Sequence, residues 1–282
     1  EVAGVDAGDR PHGRPVGAAE GVAAAAADER LDVDECRHRR RAAGAQVDLH
    51  RAADGRVIEG VRPAGAVQRA TDAVTEPKSA YAKTKAEAER IARRHQDEGT
   101  PVVIVYPGAI HGPHDPTFSA TPAYLADAIR KDQFLVNEGG RPYVDVRDVA
   151  ELVIRMLEPG LGPRRYMIGG PYVRDEDFHR LLCELLGHPV AARRIPGRVL
   201  RAVGRVGDLW RALTGREPPL TYEAACVITQ SVPCDDGAAI ALLGRPLTDI
   251  RTLLHDLLLW MYQAGHLDAA QAGAALVAEA NR

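Results

Sequence analysis

The stretch KSAYAKTKAEAERIARRHQDEGTPVVIVYPGAIHGPHD (78–115) decides how the chain is read. Its first part has a helical pattern. Ser79 is a natural N-cap, Ala88, Ile91, Ala92 and His95 recur on one face, and Gly99 ends the run. TPVVIVYPG (100–108) then reads as a short, wholly apolar strand, as expected of a strand buried on both faces in a parallel sheet. A helix followed at once by such a strand is half of a βαβ unit.

Within that helix Tyr81 and Lys85 are four apart, which puts them on one face with Cβ atoms about 5–6 Å apart. A neighbouring ammonium favours phenolate and draws a tyrosine pKa from about 10 toward working pH. A tyrosine so tuned can exchange a proton with an alcohol or ketone. The rival reading is a surface helix with a chance spacing. The chain has 8 Tyr and 4 Lys, so chance supplies about 0.1 such pairs. Three of the four lysines fall at 78, 83 and 85, in a chain that otherwise uses Arg. That concentration favours a role for a compact, tunable ammonium.

Further elements follow. PYVDVRDVAELVIRMLE (142–158) starts a helix at an acidic cap, with Val149, Leu152, Val153 and Met156 on its apolar face. RRYMIGG (164–170) is a second buried strand, and DEDFHRLLCELLGHP (175–189) an amphipathic helix closed by Gly187 and Pro189. Helical segments at 197–215, 220–229 and 248–265 complete the series.

Residues 1–70 differ in kind. They hold 17 Ala and 11 Arg, but no Ser, Thr, Asn, Lys, Phe, Tyr, Trp or Met. Such a segment buries little apolar area against a backbone-ordering cost of about 1–2 kcal/mol per residue, so poor packing is expected. An Ala-rich helix at 18–30 and a weak hairpin about Asp54-Gly55 are its local candidates, and alternation typical of strands is absent. Two readings account for the composition. One is translation of a GC-rich gene out of frame up to about residue 70. The other is a diverged N-terminus on a protein without activity.

The remaining composition excludes several classes. Net charge is −3, which argues against nucleic acid as a partner. No apolar run reaches the ~18 residues of a membrane span. The chain opens without Met or a signal peptide and is read as a fragment or processed product. Cys36, Cys183, Cys226 and Cys234 have no CxxC spacing and read as free thiols of a reducing, cytoplasmic setting. HGPH (111–114) lacks further ligands nearby, so no metal is expected.

The ordered series AYAKTKAEAER, VYPGAIHGPHD, YVDVRDVAELV and RYMIGG resembles the extended short-chain dehydrogenase/reductases, also called the NAD-dependent epimerase/dehydratase family. The tail segments LLGHP, RRIPGRVLRAVG and LTYEA are similar to the dihydroflavonol-reductase-like and 3β-hydroxysteroid-dehydrogenase-like branch. The resemblance covers roughly 74–266.

It implies an α/β fold. A doubly wound, Rossmann-like parallel sheet, with its N-terminal half degenerate or missing, would be followed by a smaller, mostly helical C-terminal substrate domain. The corresponding segments are 1–70, an atypical segment in place of the first half; 71–170, the second half; and 171–282, the substrate domain. It further implies NAD or NADP as cofactor and a small-molecule substrate. Tyr81 would be the general acid/base, and Lys85 would tune it and hold the nicotinamide ribose. Pro107, Gly108, Ala109 and Ile110 would line the nicotinamide. The region after Gly170, with part of 114–140, would form the substrate pocket. A homodimer through a helix pair that includes the Tyr81–Lys85 helix is the family habit.

The family's glycine-rich pyrophosphate turn and its catalytic Ser or Thr have no match. Gly4, Gly8 and Gly13 are misspaced, and Thr71, Thr75 and Ser79 lie too near Tyr81. The functional expectation is an oxidoreductase acting on a fairly apolar alcohol or ketone. A nucleotide-sugar epimerase/dehydratase, drawing on Arg141, Arg164 and Arg165, and a non-catalytic binding protein are the alternatives.

Overall fold

A computed structural model describes residues 46–48, 66–74, 76, 80–160, 164–216 and 218–282. The helix expected at 18–30, the Asp54-Gly55 turn, Cys36, the misspaced glycines and the Ser79 cap fall outside these residues.

The element order is strand β1 (Gln46–Asp48), helix α1 (Ala80–Asp97), β2 (Val102–Pro107), β3 (Ala109–His111), α2 (Ala120–Arg130), β4 (Phe134–Val136), β5 (Gly140–Asp145), α3 (Val146–Met156), β6 (Arg164–Ile168), β7 (Tyr172–Arg174), α4 (Asp175–Leu186) and β8 (Ala192–Arg194). Then come α5 (Gly197–Thr214), α6 (Tyr222–Gln230), α7 (Gly237–Leu243), α8 (Ile250–Gln263), α9 (Ala269–Ala272) and α10 (Ala274–Ala280). The α/β expectation holds, with parallel pairing β1–β2–β6 as its centre.

Strand β2 shows why its sequence is continuously apolar. Val103 and Val105 face a core built with Val149, Leu152 and Met156 of α3. Val102, Ile104 and Tyr106 face the opposite way, with Ala92 of α1 and Met167 of β6. A period of two, buried on both sides, leaves no polar position. β1 lies within residues 1–70, where the sequence shows no strand-like alternation. Gln46, Val47 and Asp48 run parallel to Val102, Val103 and Ile104, and three residues are too few for alternation to register. Residues 66–70 also differ from the expected poor packing. Gln68 is buried, and its backbone exchanges hydrogen bonds with Pro233 O and Asp235 N, both at 2.9 Å.

The third core gathers Phe134, Phe178 and Leu182 with Leu253, Leu254, Leu257 and Leu258 of α8. Helix α3 starts as the sequence implies: Asp145 caps it, accepting from Arg147 N at 2.8 Å. Helix α4 ends at Gly187 in the left-handed conformation, φ 72°, which glycine adopts without penalty. Among the described residues, Cys183, Cys226 and Cys234 are free thiols, and no helix is long and apolar enough to cross a membrane.

Candidate active site

Helix α1 carries Tyr81 and Lys85 on its first turns, four apart on helical backbone. Its buried face differs from the expected one. Ala82, Ala86, Glu89, Ala92 and Gln96 are buried, whereas Ile91 is exposed and Ala88 and His95 are only half-buried.

Polar anchoring sets this rotation. Gln96 Nε2 donates to Val102 O at 2.8 Å and to Arg164 O at 2.9 Å, bridging β2 and β6. Arg93 donates to Glu89 at 2.6 Å, to Asp72 O at 2.9 Å and to the Tyr106 hydroxyl at 3.3 Å. Burial, with Glu89 beside it, pushes the Tyr106 phenol above its usual range. By residue type these side chains belong on a polar surface, but here Gln96 Nε2 is satisfied by strand carbonyls and Glu89 by Arg93, while Arg93 Nε is buried without a partner among the described residues. Lys85 is half-buried at the edge of this face.

The C-terminal end of β2 opens on a cavity of about 700 Å³. Gly108, Ala109, Ile110 and His111 line it, and Pro107 is buried outside its lining. The end of a parallel strand is where open α/β sheets place ligands. Gly108 fits that use. An added Cβ there would overlap the backbone of Gly169, so glycine is what lets the ends of β2 and β6 approach each other beside the cavity. Opposite lining comes from Tyr124, Phe134 and Phe178, and from Ile195, Leu200 and Leu220 in the C-terminal third. The regions expected to form a pocket, part of 114–140 and the chain after Gly170, thus meet in one cavity.

Most of this wall is apolar. Phe178 stacks on Tyr143 at 4.8 Å and on Phe134 at 5.9 Å between centroids. Its polar features are few. Arg141 approaches Asp175 at 3.5 Å, and Asn137 also donates to that carboxylate. Burial raises the Asp175 pKa. His111 places Nδ1 3.1 Å from Ala109 O and its ring edge-on to Tyr143 at 4.9 Å. Burial draws the His111 pKa down to about 4, so the imidazole is neutral; Nδ1–H donates to the carbonyl and Nε2 is left as an acceptor. A second cavity of about 310 Å³ shares Ile110, His111 and Thr121 with the first.

Two acids of the VDVRDVA segment have structural work. Asp145 holds Arg147 as well as capping α3, and buried Asp148 accepts from Thr248 N at 2.7 Å and pairs with Arg245 at 2.8 Å. Asp236 accepts from Gly169 N at 2.6 Å and Gly170 N at 2.9 Å, and burial still pushes it up to about 6. Among the described residues no cluster of His, Cys, Asp or Glu could hold a metal ion.

Comparison with known proteins agrees with this architecture. The model of the NAD dependent epimerase/dehydratase family matches residues 59–169. Sterol demethylase protein B of Methylococcus capsulatus is 27% identical over 228 residues, covering 80% of this chain and 69% of that protein. The dTDP-4-dehydro-6-deoxy-D-allose reductase of Streptomyces bikiniensis is 32% identical over 139 residues, covering 46% of this chain; the match spans only 43% of that protein's length. The crystal structure of gox2253 superposes with a TM-score of 0.65 at 24% identity, covering 80% of this chain and 68% of that one. The match of residues 59–169 to the NAD dependent epimerase/dehydratase family agrees with the sheet, the Tyr-x-x-x-Lys helix and the cavity at the end of β2.

Proposed function

We propose that the protein is an NAD(P)-dependent oxidoreductase that interconverts a secondary alcohol and a ketone on a small, fairly apolar molecule. The observation that carries this reading is the cavity itself. It is predominantly apolar, it opens at Gly108, Ala109 and Ile110, and it lies at the end of the strand that α1 covers. Residues 71–170 serve the cofactor in this reading, and residues 171–282 supply much of the substrate wall.

Tyr81 gives its phenolic proton to the carbonyl oxygen in reduction and takes it back in oxidation. Lys85 favours the phenolate through its charge and holds the ribose hydroxyls of the nicotinamide nucleotide. The Gly108–Ile110 wall, apolar and small at Gly108 and Ala109, would face the flat nicotinamide ring. When bound, the dinucleotide donates or accepts hydride. The aromatic wall of Tyr143 and Phe178 excludes water from the reacting carbon.

The test is direct. Tyr81→Phe is expected to cut turnover of a cyclic ketone by about 10²–10⁴-fold while leaving the thermal midpoint unchanged. Full activity in that variant removes Tyr81 from the mechanism.

Arg141 in the cavity wall, with the dTDP-sugar reductase among the relatives, favours a second reading: a nucleotide-sugar substrate whose diphosphate meets that guanidinium. Titration with a dTDP-sugar and with a hydrophobic ketone separates the two. Saturable binding of the sugar nucleotide alone would replace the first reading by the second.

A further inference from the structure

Helix α5 is built inside out. Its exposed apolar residues are Val199, Val203, Val206, Leu209, Trp210 and Leu213, each 44–77% exposed. Its buried residues are Gly197 and Gly204. At 100° per residue the six large side chains fall within one arc of about 120°. The opposite side meets α6 by close backbone approach. A Cβ on Gly204 would lie 2.6 Å from Thr221 O, and Gly207 presses on Leu220 O in the same way. Arg201 and Arg205 also turn toward that side, onto the Thr229 hydroxyl at 2.7 Å and over the Tyr222 ring at 4.8 Å. A contiguous apolar face of this kind on a folded protein marks a contact surface.

We propose that α5 docks on an anionic lipid bilayer, with its outward face at the headgroup–acyl boundary. Charge selects this occupant. The chain as a whole carries −3, yet residues 193–216 hold seven arginines against the single acid Asp208. Arg198 in the first turn of α5 and Arg216 just past its C-terminus are exposed, as is Arg193 in the strand before it, whereas Arg194 pairs with Glu176 at 2.8 Å. An amphipathic helix with Trp and Leu on one face and arginines beside it is the form that lies in a membrane interface. A second copy fits poorly, because a two-fold interface would set the same arginine-rich patch against itself. Leu200 of α5, with Ile195 before it and Leu220 after it, lines the 700 Å³ cavity. The helix that would rest on lipid is therefore also a wall of the site, and a bilayer would deliver a hydrophobic ligand to it. The docking itself does not depend on the reaction proposed above.

Sedimentation with sucrose-loaded vesicles tests this on the full chain. Binding to vesicles of 70% phosphatidylcholine and 30% phosphatidylserine is expected, with a blue shift of Trp210 emission that is absent in Trp210→Phe. Pure phosphatidylcholine and high salt should both weaken it. The triple change Arg193→Gln, Arg198→Gln, Arg216→Gln is expected to lower the partition coefficient about tenfold or more. Val206→Asp with Leu213→Asp should abolish binding while circular dichroism and thermal midpoint stay as in the wild type. The proposal is overturned if the wild type binds neither vesicle, if the double aspartate variant still binds, or if Trp210 is instead buried by self-association without lipid.

Discussion

Helices α5 and α8 carry similar sequence signals and opposite structures. Each is a long amphipathic run with leucines and a tryptophan. In α8, Leu253, Leu254, Leu257, Leu258 and Met261 are all buried. In α5 the large side chains face outward, and glycines make the contact with the fold. Periodicity reports that a helix has two faces. Which one turns inward is set by what the neighbouring elements offer. The neighbours of α8 offer Phe134, Phe178 and Leu182. For α5, helix α6 offers its own backbone at a distance that admits only glycine.

Four measurements would break or sharpen that contrast, and the largest effect is expected on α8. Leu254→Ala leaves a void in a fully buried position and should cost about 2–5 kcal/mol in chemical denaturation. Gly204→Ala comes next. Its new methyl would meet backbone at 2.6–2.7 Å, so a loss of about 1–3 kcal/mol is expected despite alanine's better helix propensity. A neutral or stabilising result would mean that α5 is free to move away from α6.

His255 of α8 provides a pH test. Its bond to Asp256 first, and to Glu279 of α10 second, raises its pKa above the ordinary 6.5. Its stabilising contribution is therefore fully present below pH 6.5 and lost as pH rises through the raised value. His255→Gln should flatten the thermal midpoint over that window, leaving α8 held by its buried leucines and by the Asp256–Arg147 and Arg251–Glu184 pairs. The smallest effect is expected at Leu213→Ser on α5, within about 0.5 kcal/mol of wild type, because its side chain already meets solvent. A loss like that at Leu254 would show that the outward face is covered.

The same contrast explains how far the sequence could be read. The elements with long, regular patterns stand where they were expected: β2, β6, α3, α4, α5, α6 and α8. Short strands such as Ala109–His111, Phe134–Val136 and Tyr172–Arg174 left no pattern, because three residues cannot show a period. The rotation of α1 was misjudged because Glu89 and Gln96 are buried by satisfying strand and side-chain partners, a property of the fold rather than of residue type. Of the residues expected at the site, Gly108, Ala109 and Ile110, named from resemblance, line the cavity, and Tyr81 and Lys85, named from spacing, stand on the first turns of α1. His111 was visible only as half of a weak histidine pair. The Arg141–Asp175–Asn137 group needs three elements brought together, and only the sign of Arg141 hinted at it.

The contact between Gln68 and the Pro233–Asp235 segment has a temporal consequence. Asp236, beside that segment, also ties down Gly169 and Gly170 at the end of β6. The end of β6, beside the β2 end that opens on the cavity, is therefore completed by residues synthesised long after it. A nascent chain that has extruded only the sheet would expose those ends and lack much of the cavity wall. Because its decisive contacts join distant parts of the chain, the site should be among the last features to form, and its assembly should be slow by the measure of contact order.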